Sequence, residues 1–137
     1  KAKLMATSRN VNDNKPFAVV DQIKAIIEEI GNNHNTDQAK LVIALHGLAF
    51  KPNVDDLRES PAVIIVNELS NCLNNPLLCT EPNISIRPNM IADSVEFLDT
   101  EDALKRADFH VILVAHNEYK TVDWDRFNVK DVCGLFR

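Results

Sequence analysis

The residues most capable of chemistry fall in one run, HGLAFKPNVDDLRES, at positions 46–60. Gly47 permits a tight backbone turn, and Lys51 and Arg58 add two cations. Arg58-Glu59-Ser60-Pro61 then leads into a helix amino terminus, where free N–H groups and the helix dipole favour anions. Two cations beside a helix start would suit a phosphorylated ligand. The run is not a P-loop, since G-x-x-x-x-G-K-[ST] is missing, and G-x-G-x-x-G occurs nowhere in the chain. The competing reading is a solvated loop in which Asp55, Asp56, Arg58 and Glu59 pair with one another.

The other reactive side chains are sparser. His46, His110 and His116 show no spacing typical of metal ligands, and His34 sits in a polar stretch. His116 falls at a strand end, where it could touch a ligand or hold a loop by hydrogen bonds. Cys72, Cys79 and Cys133 are odd in number and widely spaced. That excludes both a disulfide framework and a paired zinc site, and fits thiols in a reducing compartment. No Ser-His-Asp order or nucleophile elbow is visible. The sequence carries no complete catalytic centre.

These residues need elements to place them. Residues 1–31 are helical in pattern, with a start signal at Asn14-Lys15-Pro16. An apolar stripe runs through Val19, Val20, Ile23, Ile26, Ile27 and Ile30, and Gly31 supplies a stop. The stripe could face the core or a partner. Residues 32–40 (NNHNTDQAK) are polar and aperiodic, and read as a linker. Beyond them, short apolar runs at 41–45, 77–80, 94–98, 111–115 and 129–133 read as strands. A helix opens at Ser60-Pro61, a second at 100–107 with Thr100 as its cap, and a third short one covers 122–127. Strands alternating with helices predict an α/β, doubly wound, mostly parallel, Rossmann-like sheet preceded by a long helix. In such a sheet ligands bind beyond the carboxyl ends of the strands. The segments 46–60, 116–120 and 134–137 occupy that position.

Composition sets outer bounds. The 137 residues suit one domain, or one domain with an appendage, and 45% hydrophobic residues are enough for a core. Fifteen Lys+Arg against 20 Asp+Glu give −5, which argues against nucleic acid or an anionic membrane surface as partner. No apolar run reaches the ~20 residues of a membrane helix, and no signal peptide opens the chain. A soluble, cytoplasmic protein is expected. The chain opens at Lys1, without an initiator Met and inside a helical pattern, so it reads as a piece of something longer.

GLAFKPNVDDLRESPA, residues 47–62, resembles the signature that opens the carboxy-terminal domain of the UDP-glucose/GDP-mannose dehydrogenase family. RNVNDNKPF (9–17), VAHNEYK (114–120) and the ending DVCGLFR (131–137) are similar to other blocks of that family, in the same order. Together they resemble most its UDP-N-acetyl-D-mannosamine branch. The resemblance implies an NAD-dependent enzyme that oxidises a sugar C6 alcohol to a carboxylate, through a cysteine thioester, for polysaccharide synthesis. It implies that residues 1–35 end a central helical dimerisation region and its linker. Residues 36–137 would then form the carboxy-terminal UDP-sugar-binding domain. The family's glycine fingerprint, catalytic cysteine and lysine-asparagine pair would lie upstream, so this chain alone should be inactive.

By that resemblance Phe50 and Lys51 match a Phe-Lys pair that contacts the UDP-sugar. Arg58 matches an arginine that reaches NAD bound to the other Rossmann domain. Cys133 is a departure, because the family usually carries Arg or Lys two residues after the aspartate that corresponds to Asp131. A neutral thiol cannot supply that charge. The implied partners are a UDP-sugar and a second copy of the parent, joined through the central helices. The alternatives are oxidation of UDP-glucose or UDP-N-acetylglucosamine, or a non-catalytic doubly wound binding or assembly module.

Overall fold

The computed structural model describes residues 8–33 and 40–135, with side chains for 16–32 and 40–135. The first element is α1 (Ser8–Asn33). Val19, Val20, Ile23 and Ile27 on one face are buried in the main core, with Ile26 and Ile30 packed at its edge. Three- and four-residue steps put these side chains on one stripe, which lies against α2 (Pro61–Cys72). The stripe therefore faces the core of its own chain.

Two expected boundaries of α1 move. Pro16 does not start the helix but lies inside it. An interior proline loses a backbone hydrogen bond and crowds the preceding turn, and here its ring is buried. Gly31 does not stop it either, because the helix runs on to Asn33 with Gly31 buried and helical. Most of the expected linker, including His34, lies outside the described residues, as does Arg137.

The sheet contains β1 (Ile43–His46), β2 (Leu77–Thr80), β3 (Val95–Phe97), β4 (Phe109–Ile112) and β5 (Val129–Asp131), in the spatial order β3-β2-β1-β4-β5. Every pairing is parallel, with His46 level with Thr80 on one side and Ile112 on the other. The α/β, doubly wound expectation holds. All four residues of β1, β2 and β4 are buried, because both faces are covered. Period two divides them: Ile43, Leu45, Cys79 and Val111 face the α1–α2 layer, while Ala44 and Leu78 meet Ala103 of α3 (Thr100–Arg106). Beside them, Ile112 packs on Tyr119 and Trp124 from two 3-10 turns, Asn117–Thr121 and Trp124–Arg126.

Local chemistry explains most of these elements. Ser60 caps α2, its Oγ accepting from the Ala62 N–H at 3.2 Å, with Pro61 in the first turn. The β-branched run 63–66 is thereby committed to a helix. For α3 the cap is Asp99 rather than Thr100, and no side-chain bond closes it. Glu101 and Asp102 in the first turn, with Lys105 and Arg106 in the last, complement the helix dipole instead. The fourth strand starts at Phe109 rather than 111, because register with Ile43 sets its beginning. The expected helix at 122–127 contracts to a single 3-10 turn, and the 117–121 segment, read as loop, forms another.

Candidate functional site

The order of the strands reverses between β1 and β4, and the loop 47–60 leaves the sheet there. That is the switch point at which open parallel sheets bind ligands. The loop opens at Gly47, with φ +102° and its N–H donated to Thr80 O at 2.9 Å. A Cβ at this position would sit 2.7 Å from Val114 Cβ and 2.9 Å from Val114 N, so only glycine fits. The tight turn read from Gly47 is thus a close approach of β1's exit to β4's exit.

The rest of the loop is pinned to its neighbours from three sides. Leu48 and Ala49 donate their backbone N–H groups to Glu81 Oε1 at 2.8 and 3.0 Å. Ser60 Oγ donates to Ala49 O at 3.2 Å. Further along, the Asn53 N–H donates to His116 Nδ1 at 2.8 Å, and Asn53 Oδ1 accepts from the Asn117 N–H at 2.9 Å. Asn53 holds φ +63°, a left-handed conformation that asparagine tolerates better than most residues. Phe50 and Lys51 span the gap between these anchors and are exposed, Phe50 by 55%.

Glu81 and His116 complete the arrangement. Both side chains are fully buried, with His116 Nε2 2.9 Å from Glu81 Oε1. Because Nδ1 accepts from Asn53, the ring proton sits on Nε2 and is donated to the carboxylate. Glu81 Oε2 accepts from Asn83 N and Nδ2 at 3.1 and 3.2 Å. Burial pushes the Glu81 carboxyl up, but the hydrogen bonds from His116, Leu48 and Asn83 outweigh it and hold the group below the usual carboxylate range. Of the two roles open to His116, the structure gives it the loop-holding one.

Phe50 and Cys133 are brought together on an apolar cavity of about 150 Å³, which Pro16, Ala49, Pro61 and Val114 also line. The Cys133 thiol is pushed up to about 12, first by burial and then by the Asp131 carboxylate. Burial likewise pushes Cys79 up to about 12. Neither is a thiolate nucleophile. Lys51 and Arg58 do not line this cavity. Arg58 instead grips Asp56 through Nε and NH2 at 3.0 Å each, with 85% of its side chain exposed. The surface-pairing reading of this loop is therefore correct for Asp56 and Arg58.

A larger cavity, about 600 Å³, lies beyond the ends of β2 and β3. Glu81, Asp99, Glu101 and Glu118 line it, so its charge opposes an anionic nucleotide. The smaller cavity beside Phe50 has no charged lining residue and suits an uncharged group.

Sequence reasoning passed over two groups. Glu81 follows directly on the apolar run 77–80, and an acid there, at the ligand-binding edge of the sheet, is the available signal. The second is a buried polar chain: His110 Nδ1 to His46 Nε2 at 2.9 Å, His46 Nδ1 to Thr80 Oγ1 at 2.9 Å, and Thr80 Oγ1 to Tyr119 OH at 2.8 Å. Trp124 and Phe127 enclose it edge-on. No sequence spacing announces it, because parallel register alone sets 46 level with 80 and puts 110 two residues before Ile112, the partner of 46, on the same face of the sheet.

Comparison with known proteins places this geometry. The model of the UDP-glucose/GDP-mannose dehydrogenase family, UDP binding domain, matches residues 44–131. The UDP-N-acetyl-D-mannosamine dehydrogenase of Escherichia coli (strain K12) is 39% identical over 140 residues, covering 100% of this chain and 33% of that protein. The NDP-N-acetyl-D-galactosaminuronic acid dehydrogenase of Ralstonia solanacearum is 40% identical over 131 residues, covering 96% and 29%. Among solved structures, a UDP-N-acetyl-mannosamine dehydrogenase from Staphylococcus aureus superposes with a TM-score of 0.71 at 27% identity, over 98% of this chain and 30% of that one. The chain spans about a third of the length of the curated relatives it matches.

Proposed function

The chain belongs to the UDP-glucose/GDP-mannose dehydrogenase family, and on that footing we propose that it is the UDP-sugar-binding, carboxy-terminal part of an NAD-dependent UDP-N-acetylmannosamine dehydrogenase. Its whole-length similarity to dehydrogenases of that name supports the choice of sugar. The observation that carries the reading is the placement of Phe50 and Lys51. They stand exposed at the switch point of a parallel sheet, on a loop whose two ends are fixed by buried hydrogen bonds. Lys51 supplies the cation for the diphosphate. The apolar cavity bordered by Phe50 takes a part of the ligand that carries no charge. Cys133 on its wall contributes packing rather than charge.

NAD would supply the hydride acceptor that side chains cannot. The turn after β1 does not fit it: Gly47's space is filled by Val114, and the acid after β2 is occupied by backbone N–H groups of the chain itself. Among the described residues the one assigned to the cofactor is Arg58, an exposed cation that exchanges Asp56 for an anion brought by another domain. Hydride transfer and the thioester step belong to upstream parts. The parent is a cytoplasmic homodimer, joined through other surfaces of its central helices, since the α1 stripe faces its own core.

The test is turnover. A longer protein carrying this chain should reduce NAD with UDP-N-acetylmannosamine in preference to UDP-glucose and UDP-N-acetylglucosamine. The isolated 137 residues should show none. Turnover by the isolated chain would overturn the assignment, and preference for another sugar would move it within the family.

A further inference from the structure

The strand order β3-β2-β1-β4-β5 is the first five places of the dinucleotide-binding order. In that arrangement a glycine-rich turn after the first strand cradles the pyrophosphate, and an acid further along hydrogen-bonds a ribose hydroxyl. This chain has an acid at the corresponding edge of the sheet, Glu81, directly after β2. Its Oε1 accepts from the Leu48 N–H, the Ala49 N–H and His116 Nε2, all within 3.0 Å. Its Oε2 accepts twice from Asn83. With both oxygens occupied and only 3% of the residue exposed, it has no capacity left for a ribose.

Leu48 and Ala49 lie immediately before Phe50 and Lys51. The same carboxylate fixes the His116 ring, whose other nitrogen takes the Asn53 N–H just beyond Lys51 and Pro52. One buried group thereby sets both ends of the exposed span, drawing on β2, β1 and the exit of β4. We propose that Glu81, acting through Leu48, Ala49 and His116, is the positioning residue of the nucleotide-sugar loop: an acid at a ribose-binding position turned inward to hold the loop that meets the substrate. Glu81 does not touch substrate. It determines where Phe50 and Lys51 stand, and this rests on the proposed role of those two residues.

The reading separates from a merely structural role by which constant moves. In the longer dehydrogenase, Glu81→Gln retains an oxygen for the two amides but loses the charge and turns an NH2 toward the Asn83 donors. The expected result is a rise of about tenfold in KM for the UDP-sugar, the scale of one charge-assisted hydrogen bond. The KM for NAD and kcat should hold, and hydrogen exchange across residues 47–53 should quicken. Asn53→Gly, at an exposed left-handed position, keeps the backbone conformation and removes only the tether to Asn117. It should reproduce the KM effect more weakly in a fully stable protein, and it carries the test if Glu81→Gln does not fold. Lys51→Ala is run alongside. An unchanged UDP-sugar KM in the Glu81 and Asn53 variants, with a raised one in Lys51→Ala, overturns the inference and leaves the function standing. An unchanged KM in Lys51→Ala overturns the role of the loop itself. Unchanged exchange at 47–53 in Glu81→Gln overturns the positioning role whatever the kinetics.

Discussion

Two acid–base pairs of nearly equal length flank the same loop. His116 and Glu81 meet at 2.9 Å with both side chains fully buried, while Arg58 and Asp56 meet at 3.0 Å with 85% and 42% of their side chains exposed. Distance does not distinguish them, but surroundings do. Water screens the outer pair and offers each partner an equivalent contact, so the pair adds little to the fold and is free to change partners. The inner pair has no such alternative. Removing Glu81 would leave a ring N–H and two backbone N–H groups buried without an acceptor. The inner pair therefore fixes the loop, and the outer pair leaves a cation available to a ligand.

The largest expected effect falls on the inner pair. Glu81→Ala should cost about 3–5 kcal/mol in urea unfolding, the scale for breaking a buried pair. A loss below about 1 kcal/mol would show that water reaches the site, and would remove the contrast with the surface pair.

A second effect sharpens what burial does to polar groups elsewhere. Burial, with His110 adding to it, lowers His46 to about 3, and burial lowers His110 to about 4, against an ordinary value near 6.5. Between those limits the unfolded chain binds protons that the folded chain refuses. Stability should therefore fall as pH drops below 6.5, by up to about 1.4 kcal/mol per pH unit for each histidine. Denaturant unfolding between pH 7 and 4.5 measures the slope, and His46→Gln should remove one proton's share of it. A flat profile would mean that the His110–His46–Thr80 chain is hydrated and titrates as it would in water. Among the described residues His110 Nε2 finds no hydrogen-bond partner, so no acceptor stabilises the charged ring through that atom.

The smallest effect belongs to the surface. Arg58's hydrogen bonds hold the Asp56 carboxyl at about 2, yet Asp56→Ala should leave the melting temperature unchanged at both low and high salt. A clear drop at low salt would give the outer pair a structural role and weaken the view that Arg58 is held in reserve.

The same contrast explains what could be read from the residues alone. Continuous apolar runs, the Ser60-Pro61 start and the alternation of elements are local signals, and they identified the parallel sheet and α2. Lys51, Arg58 and Phe50 stand out as candidates because they belong to one contiguous motif. The ends of α1 were misplaced because Pro16 and Gly31 act as punctuation only where packing permits, and both are buried here. Glu81 and the His46–Thr80–Tyr119 chain join positions more than 30 residues apart. Strand register creates those contacts, and no single stretch of sequence encodes them.

The most direct test of the proposed division between Lys51 and Arg58 is a paired kinetic measurement on a longer protein carrying this chain. KM for the UDP-sugar and KM for NAD are determined for Lys51→Ala and for Arg58→Ala. The predicted result is a double separation. Lys51→Ala raises only the UDP-sugar constant, and Arg58→Ala raises only the NAD constant, each by about tenfold or more, as for loss of one charged contact. Equal shifts of both constants in both variants, or none in either, would contradict the account.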